Sequence, residues 1–351
     1  MSTVEGLDTD ALAAWLETER PGLLSGPLEA SLITGGKSNL TYTVSDGTTD
    51  VIVRCPPLGH VLATAHDMVR EHRVITALGP TDVPVPNTYA LCEDETVVGA
   101  PFYVMERVDG TPYNRATQLE ALGPDRTRTI TERMIDTLVA LHAVDPAEVG
   151  LSDFGRPDGY LERQVRRWKK QLESSRSREI AGMDELIARL ERDIPTGGDS
   201  TIVHGDYRLD NLLVDDDADT INAVLDWEMS TLGDPLTDVA VLVAYQQLAE
   251  ALQEPGTPSG AVKAMVTDAP RAPGYLSSDE VLERYHAQSG RDVSDLDFHL
   301  ALAYFKLAVI LEGIHYRHSH GQTLGGGFEG IGDLIEPLVA AGLHAGPVNE
   351  S

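Results

Sequence analysis

The sequence predicts an α+β fold of two lobes, the first built on an antiparallel sheet and the second mostly helical. β-rich segments dominate the chain up to about residue 108, and helical patterns dominate after it. One hairpin-like stretch, Leu212–Leu225, interrupts the helical half. The 351 residues also suit two domains of roughly 150 residues each. We therefore expect lobes at residues 1–108 and 109–351, with a ligand cleft between them.

The first lobe is predicted to contain two helices and several strands. An amphipathic pattern indicates a short helix over Thr9–Arg20, and a second helix is predicted over Leu62–Leu78. Glycine-rich and Asp-Gly turns separate the β-rich segments, as in an antiparallel sheet. The predicted strands are Leu28–Ala30, Thr41–Val44, Val51–Arg54 and a pair within Val97–Val108.

Helical periodicity defines the second lobe. The predicted helices are Pro124–Ala143, Tyr160–Leu172, Met183–Arg192, Asp238–Leu252, Asp279–Gln288 and Leu296–His318. Gln253–Gly274, rich in Pro, Gly and Ala, is predicted to be a mobile loop. Leu300–Ile314 is the most apolar segment, but it is too short to span a bilayer and contains Lys306 and Glu312. We therefore expect a buried helix there.

Charge is the unusual feature of the composition. The chain has 27 Lys and Arg residues against 56 Asp and Glu residues, which gives a formal net charge of −29. Only five of the cations are lysines. Self-repulsion of this size weakens a compact state unless salt screens it, and it repels nucleic acids and anionic membranes. We expect a halophilic protein without nucleic-acid or membrane partners, while the oligomeric state stays open.

The cysteines and the N-terminus favour a cytoplasmic location. Cys55 and Cys92 are too few for a disulfide scaffold and suit a reducing compartment. Met1–Asp10 is acidic and lacks the cationic and apolar pattern of a signal peptide.

The sharpest functional signal is an H-x-D-x-x-x-x-N motif over His204–Asn211, followed fifteen residues later by Asp226. Phosphoryl transfer needs one carboxylate to orient an attacking hydroxyl, and oxygen ligands to hold Mg²⁺ on a nucleotide. In this order and spacing, Asp206 is the candidate for the hydroxyl, with Asn211 and Asp226 as the candidate metal ligands. The alternative is an ordinary His-Gly-Asp turn and a capping role for Asp226.

These motifs, together with Leu225-Asp226-Trp227-Glu228 and Leu232–Asp238, resemble the aminoglycoside phosphotransferase-like family, the small-molecule branch of the protein-kinase fold. The stretch is similar to the subgroup that in some organisms is fused to acyl-CoA dehydrogenases. The resemblance extends from about Leu32 to about Arg317. It implies a protein-kinase-like two-lobed fold and transfer of phosphate from ATP, with Mg²⁺, to a small-molecule hydroxyl.

The resemblance also implies roles around the catalytic loop. Asp238 would hold that loop from the start of a helix, with a simple helix N-cap as the alternative. His204 would brace the loop while Asp206 acts as the base. His142, beside leucines on a predicted helix, is expected to be a core histidine.

The predicted nucleotide side begins with a loop at Thr34–Asn39, between strand-like segments. Backbone N–H groups of such a loop can approach phosphates, and an ordinary hairpin is the alternative. A Walker A loop would need Gly at position 31, where Ser31 stands. The candidate phosphate-binding residues are Gly35, Gly36, Lys37, Ser38 and Asn39.

A kinase-like lobe offers a cation from its third strand, paired to a Glu on the following helix. Arg54 stands where a Lys is usual, and a guanidinium can bind phosphate bidentately. Glu71 lies in an apolar helical stripe, so it needs Arg54 as a partner or must reach solvent. Tyr103–Gly110 resembles the family's hinge, where adenine would bond near Glu106 and Val108. An ordinary edge strand is the alternative.

A basic segment stands out on the predicted acceptor side. Arg163–Arg178 contains seven Lys and Arg residues, and Glu173 is its only acid. This segment is either a solvated charged face or an anion site with Trp168 available for stacking. Arg166 and Lys170 are helical i, i+4 neighbours and lead the candidates for the anion. Further acceptor candidates are Arg208, His315 and Arg317, although packing or compensation of helix charge also explains the cluster His315–His318.

We therefore expect an ATP- and Mg²⁺-dependent small-molecule kinase with a hydroxyl acceptor. No long activation segment fits between Asp226 and Asp238, which disfavours a protein substrate. The basic segment and the subgroup resemblance favour an anionic acceptor such as a hydroxyacyl-CoA, with an aminoglycoside as the alternative. Two other classes stay open. One is a pseudokinase, favoured only by Arg54, and the other is a metal phosphohydrolase, which one histidine hardly supports.

Overall fold

The computed structural model describes residues 6–33, 39–57, 67–252, 267–322, 328 and 330–345. The chain divides into two compact units. Unit 1 comprises residues 1–110 and 222–230, and unit 2 comprises residues 111–221 and 231–351. The chain thus leaves unit 1 after Gly110 and later returns to it for a short segment that contains Asp226.

Unit 1 is built on a five-stranded antiparallel sheet, which confirms the predicted sheet. Its strands are β1 (Glu29–Leu32), β2 (Leu40–Ser45), β3 (Asp50–Cys55), β4 (Thr88–Cys92) and β5 (Phe102–Glu106). Their order is β1-β2-β3-β5-β4, so β3 is the central strand. On β3, Arg54 lies opposite Thr41 of β2 and Tyr103 of β5.

The helices of unit 1 are α1 (Thr9–Glu19), α2 (Met68–Leu78) and α3 (Glu95–Val98). The core consists of alternating strand residues packed against the first helix, namely Tyr42, Val44, Val51, Val53, Phe102, Val104, Leu12 and Leu16. The buried face of α2 includes Glu71 along with apolar residues, as its spacing predicted. A carboxylate is therefore carried into the interior of the unit.

One predicted strand pair is wrong. Val97 and Val98 belong to α3, because the Asp94 side chain caps Thr96 N–H and Gly99, with φ of 92°, ends the helix. Strand β5 pairs with β3 on one side and with β4 on the other, and β4, which follows a proline-containing segment, was not predicted.

Unit 2 is mostly helical. Its helices are α4 (Ala116–Leu122), α5 (Pro124–Ala143), α6 (Tyr160–Ser175), α7 (Met183–Arg192), α8 (Leu236–Ala251), α9 (Ser278–Ser289), α10 (Asp297–Ser319) and α11 (Ile335–His344). The short α4 and α11 were not predicted. In the described part of the chain, four short strands lie between these helices: β6 (Thr201–Val203), β7 (Leu212–Val214), β8 (Ile221–Val224), most of which belongs to unit 1, and β9 (Thr231–Gly233). Strand β6 pairs with β9, and β8 leads the chain back to unit 1.

Helix α10 is the central helix of unit 2 and packs against α6, α7, α8 and α11. By length and composition alone it could cross a membrane, which is weak evidence because core helices pass the same test. The protein buries 72% of its most apolar window. Among the charged side chains of this helix, those of Lys306 and Glu312 are buried.

Candidate functional site

The H-x-D-x-x-x-x-N motif forms the connection from β6 to β7 in unit 2 and is fixed by Asp238. Asp238 lies in the first turn of α8 and is 0% exposed. Its carboxylate accepts the N–H groups of His204 at 2.7 Å and Gly205 at 2.8 Å. His142 Nε2 lies 3.2 Å from the same carboxylate. Asp238 therefore holds the start of the loop, and the alternative of a simple helix N-cap is wrong, because the N-cap of α8 is Pro235.

Burial raises the pKa of Asp238, but the hydrogen bonds and charges of His142 and His204 outweigh it. The pKa of this carboxyl therefore lies below its ordinary value. Burial also lowers the pKa of His142, whose other ring nitrogen lies 2.8 Å from the Tyr285 hydroxyl. As predicted, His142 is a buried core residue.

Asp206 is the partly exposed carboxylate of this loop, with 21% of its side chain accessible. Its backbone N–H donates to His204 Nδ1 at 3.2 Å. The Asn211 amide donates to the Asp206 carbonyl at 2.8 Å and to Oδ2 at 3.3 Å. Burial and the negative charge of Asp206 raise the pKa of Tyr245. The carboxylate is therefore oriented by donors and still reaches solvent, which a general base requires.

Arg208 contacts two carboxylates of the same loop. Its Nε lies 3.5 Å from Asp206 Oδ2, and its Nη2 lies 3.1 Å from Asp210 Oδ2. The guanidinium carbon lies 4.7 Å from the centre of the Tyr245 ring. This predicted acceptor residue thus interacts with two carboxylates and an aromatic ring of its own unit.

In unit 1, Arg54 joins two acidic residues. Its Nε lies 3.1 Å from Glu71 Oε1, and its Nη2 lies 2.6 Å from Asp226 Oδ1. The structure thus brings the predicted pair of Arg54 and Glu71 together, and it adds Asp226, which sequence reasoning did not connect to Arg54. The Glu71 side chain is 2% exposed and that of Asp226 is 34% exposed.

One guanidinium faces two carboxylates here, so the buried one is incompletely compensated. Burial raises the pKa of Glu71 to about 7, against the opposing effect of Arg54, and the charge of Asp226 contributes to the increase. The side chain of Tyr103, fully buried beside this pair, is also subject to the negative charge of Glu71.

Asp226 has a left-handed backbone, with φ of 66° and ψ of 59°. Such a conformation is uncommon outside glycine and Asn or Asp residues. The turn that follows, Trp227–Met229, is anchored by the buried Trp227, whose Nε1 donates to Val224 O at 2.9 Å. Asn39 is buried and its amide donates to Glu228 Oε2 at 3.2 Å. The other predicted phosphate-loop residues, Gly35, Gly36, Lys37 and Ser38, lie outside the described residues.

The predicted hinge lies at the end of β5. Glu106 N–H donates to Asn87 O at 2.8 Å, and Glu106 Oε2 accepts the Asn87 amide at 2.6 Å. Val108 follows in an irregular segment and is partly buried. The Glu106 N–H and side chain are thus bonded to the β4 side of the sheet.

The basic segment belongs to α6 and the turn after it, and several of its cations have acidic partners within unit 2. Arg166 binds Glu162 at 2.7 Å, and Lys169 binds Glu191 at 2.6 Å. Further along, Arg176 binds Asp184 and Arg178 lies near Glu312.

Two exposed cations of α6, Arg167 and Lys170, make no ion pair within the described part of the chain. The Arg167 guanidinium lies 5.7 Å from the Trp168 ring centre.

The remaining acceptor candidates lie near the C-terminal end of α10. His315 packs so closely on Gly332 that a Cβ there would lie 2.9 Å from its Nδ1. Arg317 is exposed in the last turn of the helix. Packing therefore accounts for His315.

The donor set fits a hard cation better than a softer metal. Among the described residues, no group of three or more His, Cys, Asp and Glu side chains could hold a metal ion. Mg²⁺ does not need such a cage, since it keeps several waters and takes few protein oxygens. Asp226 offers a partly exposed carboxylate. Asn211 turns its amide nitrogen to Asp206, so its carboxamide oxygen is the group suited to a cation.

An antiparallel-sheet unit with a buried Arg–Glu pair, and a helical unit with an anchored H-x-D-x-x-x-x-N loop, define a small-molecule kinase with a protein-kinase-like fold. Comparison with known proteins agrees. The profile of the phosphotransferase enzyme family matches residues 29–259, well over half of the chain. The chain belongs to this family, as the motifs predicted.

Curated relatives include acyl-CoA dehydrogenase family member 10 of Mus musculus, 34% identical over 336 residues. That match covers 94% of this chain and 30% of the relative. Acyl-CoA dehydrogenase family member 11 of Gallus gallus is 33% identical over 323 residues, covering 91% of this chain and 40% of that protein. The chain thus spans well under half the length of these relatives.

Solved structures are similar over nearly the whole chain. A candidate aminoglycoside phosphotransferase from Ralstonia eutropha is 34% identical with a TM-score of 0.81, covering 97% of this chain and 98% of that one. An aminoglycoside phosphotransferase in complex with AMP-PNP and hygromycin B has a TM-score of 0.62, covering 96% of this chain and 99% of that one. At 13% identity, this second likeness shows the fold alone.

Sequence reasoning missed two side chains beside the catalytic loop, those of Tyr245 and Lys306. Nothing in the pattern of α8 distinguishes Tyr245. Lys306 did leave a signal, because it is one of five lysines in the chain and lies in its most apolar segment.

Proposed function

We propose that the protein is an ATP- and Mg²⁺-dependent kinase that phosphorylates a hydroxyl group of a small molecule. The observation that carries the proposal is the Asp206 carboxylate. It is partly exposed, it accepts a hydrogen bond from the Asn211 amide, and its loop is bound by the buried Asp238. A carboxylate arranged in this way can accept the proton of an attacking hydroxyl.

The residues of the chain divide the chemistry between them. Asp206 takes the proton of the acceptor hydroxyl. At the same time the oxygen of that hydroxyl forms a bond to the γ-phosphorus of ATP, and the bond between the γ-phosphorus and the oxygen that stays on ADP breaks. Asn211 and Asp226 would supply oxygen ligands for Mg²⁺, which would neutralise negative charge on the nucleotide phosphates. Arg54 can bind phosphate oxygens bidentately while Glu71 fixes its position.

The test is ADP release from MgATP over a panel of hydroxylated acceptors, with wild type, Asp206→Asn and Asp217→Asn compared. Asp217 is an exposed aspartate of the loop between β7 and β8, so it serves as the matched control. We expect acceptor-dependent ADP release that Asp206→Asn abolishes and Asp217→Asn retains. Nucleotide binding without ADP release would instead identify a pseudokinase. Phosphate release without a requirement for ATP would identify a phosphohydrolase.

For the acceptor, we propose an anionic hydroxylated molecule such as a hydroxyacyl-CoA. Arg167 and Lys170 support this choice, since these two cations of α6 lack an ion pair within the described ranges. The curated relatives are named acyl-CoA dehydrogenase family members, which adds to the support. The net charge of −29 supports the alternative, a polycationic aminoglycoside.

Charge reversal on α6 distinguishes the two acceptors. Arg166 already pairs with Glu162, so the informative pair is Arg167 and Lys170. We expect Arg167→Glu with Lys170→Glu to raise the KM of an anionic acceptor at least about tenfold, because each charge-assisted contact is worth about 1.5–3 kcal/mol. The matched control, Arg166→Glu with Lys169→Glu, changes the same charge on the same helix and should leave that KM unchanged. A lower KM for a cationic acceptor in both variants would favour the aminoglycoside.

A further inference from the structure

Lys306 is a buried cation in the middle of the apolar helix α10. The residue is 7% exposed. Burying an ammonium group costs several kcal/mol unless partners compensate it, so a lysine at this position needs a reason. The family motifs give it none, since it lies nearly a hundred residues beyond the catalytic loop.

The partners of Lys306 lie in the catalytic loop. Its Nζ donates to the backbone carbonyl of Gly205. The ammonium also lies 5.8 Å from the centre of the Trp168 ring, a favourable cation–π distance.

Burial lowers the pKa of Lys306, and the charges of Arg167 and Arg208 act in the same direction. The charges of Asp206 and Asp238 oppose this effect, so the ammonium lies in the field of both carboxylates.

The contact with Gly205 completes a set of bonds on the peptide group that precedes Asp206. The carbonyl of that group accepts from Lys306, and its N–H donates to His204 Nδ1. One residue earlier, the Gly205 N–H is bound by Asp238. The peptide plane leading into Asp206 is therefore held at both ends, and rotation of that plane would move the carboxylate.

We propose that Lys306 is a positioning residue of phosphoryl transfer, which fixes the Gly205–Asp206 peptide group and through it the direction of the Asp206 carboxylate. This inference rests on the proposed function, in which Asp206 accepts the hydroxyl proton. A displacement of about 1 Å in a reacting group can cost about 10²-fold in rate. Loss of Lys306 should therefore reduce kcat and leave nucleotide binding intact.

The experiment compares wild type with Lys306→Met and with Glu312→Gln. Methionine keeps an unbranched side chain as far as the Cε position and removes the ammonium group with its charge and donors. Glu312 is the matched control, because it is the other buried charged residue of α10 and it bonds Ser177. We expect Lys306→Met to lower kcat about 10²-fold with the ATP KM within twofold of wild type. Glu312→Gln should change kcat less than threefold at a temperature where all three proteins are folded.

A second variant, Lys306→Ala, keeps the proposal testable if Lys306→Met folds poorly. Lys306→Ala leaves space for a small amine, so added methylammonium should recover at least a tenfold increase in kcat there and none in Asp206→Asn. The proposal is overturned if Lys306→Met retains kcat within threefold of wild type, or if both buried variants lose the same factor. It is also overturned if methylammonium recovers nothing.

A readout independent of turnover separates this inference from the proposed function. Amide hydrogen exchange at Gly205 and Asp206 should accelerate at least about tenfold in Lys306→Met and stay unchanged in Glu312→Gln. If wild type releases no ADP, the proposed function fails while this measurement still tests the hold on the loop. Unchanged exchange in Lys306→Met would overturn the proposal by itself.

Discussion

Asp206 of unit 2 and Asp226 of unit 1 are both aspartates on short connections, yet they are held in different ways. The backbone around Asp206 is bound by Asp238, His204 and Lys306, all of them buried. Asp226 has a left-handed backbone, and its carboxylate is bound by Arg54. The difference teaches that one carboxylate is held through its backbone by buried groups, whereas the other is held through its side chain by a charged partner.

The electrostatic surroundings differ in the same way. Around Asp206 and Asp238, the cations Lys306 and Arg208 balance the acids within the unit. Among the described residues of unit 1, Arg54 is the cation paired with both Glu71 and Asp226, and burial raises the pKa of Glu71 to about 7. A divalent cation at Asp226 would relieve this excess of negative charge.

The largest effect should separate the two aspartates kinetically. Asp206→Asn is expected to lower turnover by about 10²–10⁴ with MgATP affinity nearly intact, because it removes only the base. Asp226→Asn should instead weaken MgATP binding through the loss of a metal ligand. Steady-state kinetics and calorimetric titration with MgATP measure both. An equal loss of MgATP affinity in the two variants would contradict the separate roles.

The next effect concerns stability. Asp238→Asn should lower the free energy of unfolding by about 3–5 kcal/mol, the cost of breaking a buried charged network. Glu71→Gln should cost much less at neutral pH, because burial already favours the neutral form of Glu71. Urea unfolding of both variants measures the contrast. Equal losses would show that the two units hold their carboxylates alike.

Arg54 gives an effect of intermediate size. Arg54→Met should raise the ATP KM about tenfold or more, since a desolvated charge-assisted contact is worth about 1.5–3 kcal/mol. The ATP KM of Arg54→Lys should lie between those of wild type and Arg54→Met, because an ammonium cannot bridge two carboxylates as a planar guanidinium does. The acceptor KM is the internal control. A change in the acceptor KM alone would contradict the assignment of Arg54 to the nucleotide phosphates.

Smaller effects should appear between pH 5 and pH 7, with opposite signs in the two units. Burial lowers the pKa of His142 from 6.5, so its contribution to stability is present above that pH and is lost on acidification. The pKa of Glu71 is raised from 4.5 to about 7, so its contribution is present below pH 4.5 and is lost as pH rises towards 7.

Urea midpoints across this pH range test both signs. Relative to wild type, His142→Gln should lose stability less steeply on acidification. Glu71→Gln should lose it less steeply as pH rises. A pH dependence that is the same in all three proteins would contradict both assignments.

The smallest expected effect is that of salt on the stability of the folded chain, and we expect it to be the same in both units. With a net charge of −29, screening of self-repulsion should raise the midpoint of thermal unfolding as KCl increases. The measurement is a series of melts from dilute buffer to molar KCl. A flat or falling midpoint would remove the inference of a halophilic protein.

Much of the fold and of the candidate site was predicted from local sequence patterns. The helix α5 and the loop His204–Asn211 were predicted because their signals are contiguous in sequence. The pair of Arg54 and Glu71 was predicted because an apolar stripe demanded a partner for the carboxylate. These inferences need only neighbouring residues or one physical rule.

The missed features depend on contacts distant in sequence. Arg54 and Asp226 are 172 residues apart, and Lys306 and Gly205 are 101 apart. No periodicity marks such pairs, so only the folded chain reveals them. The strand β4 was missed for a similar reason, since its pairing with β5 defines it more than its own composition does.

The return of residues 222–230 to unit 1 has a consequence for synthesis of the chain. A ribosome releases residues at about 5–20 per second, so the last part of unit 1 emerges on the order of ten seconds after Gly110. Arg54 and Glu71 can pair early, whereas Asp226 can reach Arg54 only after more than a hundred further residues have been made. Until then, the nascent N-terminal unit can pair Arg54 with Glu71 but lacks the segment that carries Asp226.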